Sequence, residues 1–149
     1  MKKSDTTYIS FYLRSNTMRI FKKTIRGLGL PQFFRFRVSP TGTSMLLEEF
    51  DRITLTSFRV PKNIEEVEGS LEVHSKPFCR LMAHMQGWDI SKSYRVPGRV
   101  FKAQNVVVFD LTQAVEITEH NRVDSLENFR AAKRPETTGN PNDQEQGVL

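Results

Sequence analysis

Cysteine is almost absent. Cys79 stands alone in 149 residues, so no internal disulfide staples the chain, and an intracellular, cytoplasmic setting is favoured. No apolar run approaches the roughly 20 residues that span a bilayer. No sustained apolar stretch follows the basic start Met1-Lys2-Lys3, so neither a signal peptide nor a membrane partner is expected. A Gly-rich phosphate loop, a nucleophile elbow and a paired-carboxylate motif are all missing. With them goes any catalytic constellation, cofactor or small-molecule substrate, and the chain reads as non-enzymatic. The sharpest shortage is of acid. From Thr6 to Leu47 there is no Asp or Glu against seven bases: Arg14, Arg19, Lys22, Lys23, Arg26, Arg35 and Arg37.

What is present is a polar chain with eleven Phe and a net charge of +5. Its length suits one domain with a real core. Residues 1–132 are expected to form a single β-rich domain, and residues 133–149, nearly devoid of apolar side chains, a disordered polar tail. Ile9, Phe11 and Leu13 alternate with polar or half-polar neighbours, which predicts a strand over Thr7–Leu13. Met18 and Ile20 flank Arg19 and predict a second strand. Ile25 and Leu28 are three apart on a short helix over Lys22–Leu28, ended by Gly27 and Gly29 and kept from resuming by Pro31. Phe34, Phe36 and Val38 alternate with Arg35 and Arg37, so the next strand has an apolar and an arginine face. Ser39–Thr43 is a turn cluster, Ser44–Phe50 its returning strand, and Ile53–Val60 a further strand closed by Pro61.

The pattern then starts again. Leu71 to Ser75 alternates as a strand. Ser75 is placed to cap a helix, Pro77 suits its first turn, and Phe78, Leu81, Met82 and Met85 mark its apolar face. Gly87 ends it and Trp88 anchors the following turn in the core. Ser93–Val96 is extended and broken at Pro97-Gly98. Arg99–Lys102 and Val106–Leu111 read as a hairpin, and the run Val106–Phe109 as a strand buried on both faces. A short helix carrying Leu126 and Phe129 closes the reading.

Met18, Ile20, Lys23, Ile25 and Leu28 correspond to Leu71, Val73, Lys76, Phe78 and Leu81 at a constant offset of 53. We read this as an internal duplication with copies at about 16–51 and 70–112. Charge follows the same division. Glu48–Glu72 holds seven acids against three bases, Val73–Ala103 six bases against Asp89 alone, and Gln104–Leu149 eight acids against four bases. Phe58-Arg-Val-Pro61 and Tyr94-Arg-Val-Pro97 echo one another at a different offset, 36, which the duplication does not explain. The expected fold is therefore α+β, mainly β: a barrel or sandwich of two tandem βαββ units.

Ile20, Lys22, Lys23, Ile25, Leu28-Gly29-Leu30 and the hairpin from Phe33 to Leu47 resemble the AbrB-like family of swapped-hairpin β-barrels, over about 35 residues. Two departures stand out: Phe21 where that family has Pro, and Pro31-Gln32 where it has Gly-Asp. The resemblance implies a pseudo-dimer within one chain and a DNA-binding regulator that uses basic strand and loop residues.

The candidate nucleic-acid-binding residues are Arg19, Lys22, Lys23, Arg26, Arg35 and Arg37, with Lys76, Arg95 and Arg99 from the second copy. Arg and Lys neutralise phosphates, arginine pairs with guanine edges, and a two-stranded ribbon fits the major groove. The expected partner is double-stranded DNA. A protein-interaction or assembly module whose basic face meets an acidic partner, or its own acidic connectors in a homo-oligomer, is the alternative, and RNA stacking on exposed Phe and Tyr a third. His74, Cys79 and His84 are five apart, which puts the two on the helix about 140° from one another, so no metal site is expected.

Overall fold

Alternation builds the sheet. The computed structural model describes residues 5–66 and 69–118. The elements are β1 (Thr6–Tyr12), β2 (Thr17–Phe21), α1 (Lys22–Gly27), β3 (Phe33–Val38), β4 (Ser44–Phe50), β5 (Ser57–Arg59), β6 (Ser70–His74), α2 (Lys76–Gln86), β7 (Ser93–Phe101), β8 (Val106–Asp110) and β9 (Val115–Glu116). All pairings are antiparallel. The order β5-β3-β4-β8-β7-β1-β2-β6 curls into a nearly closed barrel whose ends are β5 and β6. This body extends to Glu116. The expected helix around Leu126 and Phe129 and the expected polar tail 133–149 lie outside the described residues.

On the longer strands one parity of residues points inward. Ile9 and Phe11 face Ile20 and Met18, which face Leu71 and Val73. Phe36 faces Leu47, and Leu47 faces Val107. All of these side chains are buried, as the period-2 pattern requires. Both helices pack onto this inner core, α1 through Ile25 and α2 through Phe78, Cys79, Met82 and Ala83. Phe78 stacks on Phe36 with ring centroids 4.7 Å apart, and Trp88 stacks on Tyr94 at 4.7 Å.

The local signals at the helices are realised. The Ser75 hydroxyl accepts from Phe78 N at 3.3 Å, and α2 closes at Gly87. Behind α1, Gly29 and Leu30 both take left-handed backbone, with φ of 87° and 53°.

Four expectations need correction. The strand expected over Ile53–Val60 shrinks to Ser57–Arg59. Residues 51–56 instead form a connection pinned by the Ser57 hydroxyl, which accepts from Thr54 N at 2.6 Å and donates to Arg52 O at 2.7 Å. β7 is not broken at Pro97-Gly98. β8 pairs with β7 as far as Gly98, a 3-10 turn (Leu111–Gln113) interrupts the ladder, and β9 resumes at Arg95. Pro97 sits opposite that interruption, where a missing N–H costs no ladder bond on that side. Val106 and Val108 are half-buried, not buried, because they lie on the outer face. Finally, α2 buries Phe78, Cys79, Met82 and Ala83, and leaves Leu81 and Met85 at 44% and 39% exposure.

Candidate nucleic-acid interface

Strand register decides what surrounds the arginines. Arg35 and Arg37 stand on the outer face of β3, and Arg35 lies directly opposite Glu48 on β4. Its Nε donates to Glu48 Oε2 at 2.7 Å, and Arg37 Nη1 reaches the same oxygen at 3.4 Å. The Arg35 guanidinium also sits 4.3 Å from the centroid of the Phe50 ring. Arg19 is opposite Glu72, with Nη2 at 3.3 Å from Oε2, and lies over Tyr12. Arg95, Ser10, Arg19 and Glu72 form one cross-strand row through β7, β1, β2 and β6. Arg99, Val108, Leu46 and Arg37 form another through β7, β8, β4 and β3. Arg95 lies over Tyr8 and exposed Arg99 over Phe101. The acids missing between Thr6 and Leu47 are therefore supplied in space by Glu48 and Glu72, from neighbouring strands.

The helices differ. Neither α1 (Lys-Lys-Thr-Ile-Arg-Gly) nor α2 (Lys-Pro-Phe-Cys-Arg-Leu-Met-Ala-His-Met-Gln) contains an acidic residue. With Ile25 and Thr24 buried, the other face of α1 presents half-buried Lys22 and Lys23 and exposed Arg26. Among the described residues, the Glu65 carboxylate reaches it, from the 3-10 turn Ile64–Glu66. Arg26 donates from Nε and Nη2 to Glu65, the latter at 3.0 Å, and Lys22 Nζ donates to Glu65 O at 3.5 Å. The Arg26 hydrogen bonds hold the Glu65 carboxyl below its ordinary range.

On α2, Lys76, Arg80 and His84 are exposed. Sequence reasoning named Lys76 but missed Arg80 as a site residue. Arg80 Nε donates to Asn16 Oδ1 at 3.3 Å, and Ser75 N donates to Asn16 O at 3.0 Å. These contacts tie the start of α2 to the 3-10 turn Leu13–Ser15, which carries exposed Arg14. The neighbourhood depends on a contact spanning 64 residues, so no local signal announces it. The structure thus groups Lys22, Lys23 and Arg26 on one helix and Lys76 and Arg80 on the other. It distributes Arg19, Arg35, Arg37, Arg95 and Arg99 over the outer face of the barrel.

His74 Nδ1 is 2.9 Å from the Thr17 hydroxyl, Cys79 is buried, and His84 is exposed. Among the described residues no group of three His, Cys, Asp or Glu is placed to hold a metal ion, and no helix is long and apolar enough to cross a membrane.

The fold and these surfaces define a small, nearly closed antiparallel barrel with two acid-free helices. No family model, curated protein or solved structure matches the chain.

Proposed function

We propose that the protein is a non-enzymatic DNA-binding module of the AbrB-like, swapped-hairpin kind, acting as a regulator. It engages duplex phosphates through the cationic faces of α1 and α2. The observation that carries this reading is the absence of any acid on either helix, beside Lys22, Lys23, Arg26, Lys76 and Arg80. The described residues hold sixteen Lys or Arg against ten Asp or Glu, so the folded body has a positive excess to offer a polyanion. Positioning contacts to phosphate come from these helices, with Arg95 and Arg99 as further contacts. Arg19, Arg35 and Arg37 serve the scaffold first: they reach base edges only after leaving Glu72 or Glu48.

The two tandem βαββ units belong to the same proposal. β2 pairs with β6 and β4 with β8. At the end of α2, Gln86 Nε2 donates to Gly42 O in the β3–β4 turn at 2.8 Å. After α1, Gly29 lies against Asn105 in the β7–β8 turn. Each helix thus reaches the other unit's hairpin, as expected of two exchanged halves in one chain.

The test is a mobility-shift titration with random-sequence duplex at low salt. Retardation that disappears as salt rises supports the reading; none at low salt rejects it. A protein-interaction module is favoured by one feature, the exposed Leu81 and Met85 beside Arg80 and His84 on α2. That mixed surface suits an acidic amphipathic segment. A pull-down lost in Leu81→Ser/Met85→Ser, with DNA binding absent, would put this second reading first.

A further inference from the structure

Among the carboxylates that meet the predicted basic residues, Glu65 is held differently. Glu48 and Glu72 sit on strands paired directly with the strand of their arginine, so the sheet fixes them whether or not the ion pair forms. Glu65 belongs to a 3-10 turn, 39 residues from Arg26. That turn is anchored through Ile64, which is 5% exposed, while Arg26 and Glu65 themselves are 53% and 49% exposed. Its two carboxylate oxygens accept from Nε and Nη2 of one guanidinium. Arginine takes phosphate oxygens with the same planar fork. The backbone carbonyl of the same residue faces the Lys22 ammonium.

We propose that the Ile64–Glu66 turn is an intramolecular phosphate mimic, which occupies the cationic face of α1 and sets its affinity for polyanions. The proposal rests on the DNA reading for its ligand. Phosphate and Glu65 compete for Arg26 and Lys22. An exposed ion pair is weak, so a polyanion displaces the turn without opening the sheet, and the turn tempers binding without abolishing it. Glu66 raises the local negative potential and favours the closed arrangement at low salt.

The experiment uses the full chain, as wild type, Glu65→Gln and Glu72→Gln. The last removes the same charge from a ladder-fixed pair. Anisotropy titrations with a labelled random-sequence duplex are run at several salt concentrations. Alongside, each protein is eluted by salt from a sulfated-polyanion column. Glu65→Gln should bind roughly twofold to fivefold tighter, because Arg26 no longer has to be released from the turn before it meets phosphate. Glu72→Gln should change affinity by less than Glu65→Gln does. Wild-type binding that Glu65→Gln leaves unchanged, or shifts no more than Glu72→Gln does, overturns the mimic and leaves the DNA reading standing. No duplex binding by any of the three, with later elution of Glu65→Gln alone, rejects DNA as the ligand and keeps the mimic for another anion. No duplex binding and identical elution rejects both.

Discussion

Arg19 and Glu72 face each other across β2 and β6, and they are 53 residues apart. That is the spacing which relates Met18 to Leu71 and Ile20 to Val73 in the sequence. Met18 pairs with Val73 and Ile20 with Leu71, so exchanging the two strands maps this ladder onto itself about Arg19 and Glu72. The pair is half-exposed, with side-chain exposures of 23% and 50%, so its energy is small. A double-mutant cycle with Arg19→Met and Glu72→Gln should give a coupling of about 0.2–1 kcal/mol in urea unfolding. A coupling of zero would mean that register here is set by Met18, Ile20, Leu71 and Val73 without help from charge.

Gly98 has no room for a side chain. A Cβ there would clash with the edge of the Phe109 ring, and Phe109 is fully buried. Gly98→Ala should therefore destabilise by about 1–3 kcal/mol, as overpacking does. Combining it with Phe109→Leu should cost less than the two single changes added together. Full additivity in chemical denaturation would contradict the contact.

Burial pushes the Cys79 thiol up from its ordinary value to about 11, with Arg80 opposing the rise. The native protein should label slowly with iodoacetamide near neutral pH, and rapidly once denatured. The stability effect has a definite sign. The unfolded thiol ionises first, so stability tied to the neutral thiol is present below about pH 9 and is lost as pH rises towards 11. Replacing Cys79 by Ala should flatten that alkaline limb of the stability curve, measured against wild type.

Much of the fold was legible because its signals are local. Alternation at Met18–Ile20, Phe34–Val38 and Leu71–Val73 marks β2, β3 and β6, and Ser75 and Gly87 bound α2. Other features depend on partners far away in sequence. Ile53 and Leu55 pattern as a strand, yet they are 55% and 73% exposed, on a connection held by Ser57. Pro97 signals a break, but the ladder has already parted on one side of it. The candidate site was legible as composition and not as surface. Seven bases without an acid read as one cationic face, until register brings Glu48 to Arg35 and Arg37, and Glu72 to Arg19. What charge counting cannot see is which acid a neighbouring strand or turn brings to each base, because β2, β3, β7 and both helices all lack acids of their own.

The strand arginines and the helix cations should separate in their effects. Glu48 serves both Arg35 and Arg37, and Arg35 also packs over Phe50. Arg35→Ala should lower stability by about 1 kcal/mol and weaken DNA binding uniformly across sequences. A selective loss of preference for one sequence, with stability intact, would instead place Arg35 at a base edge.

The most direct test of the central claim is the slope of log K against log salt for duplex DNA, wild type against Lys22→Ala/Lys23→Ala. Each phosphate contact contributes about −0.9 to that slope. The account predicts binding at low salt and a slope flattened by about 1.8 in the double variant, with equal loss on random and genomic sequences. No binding at low salt, or a slope that the two substitutions leave unchanged, would contradict it.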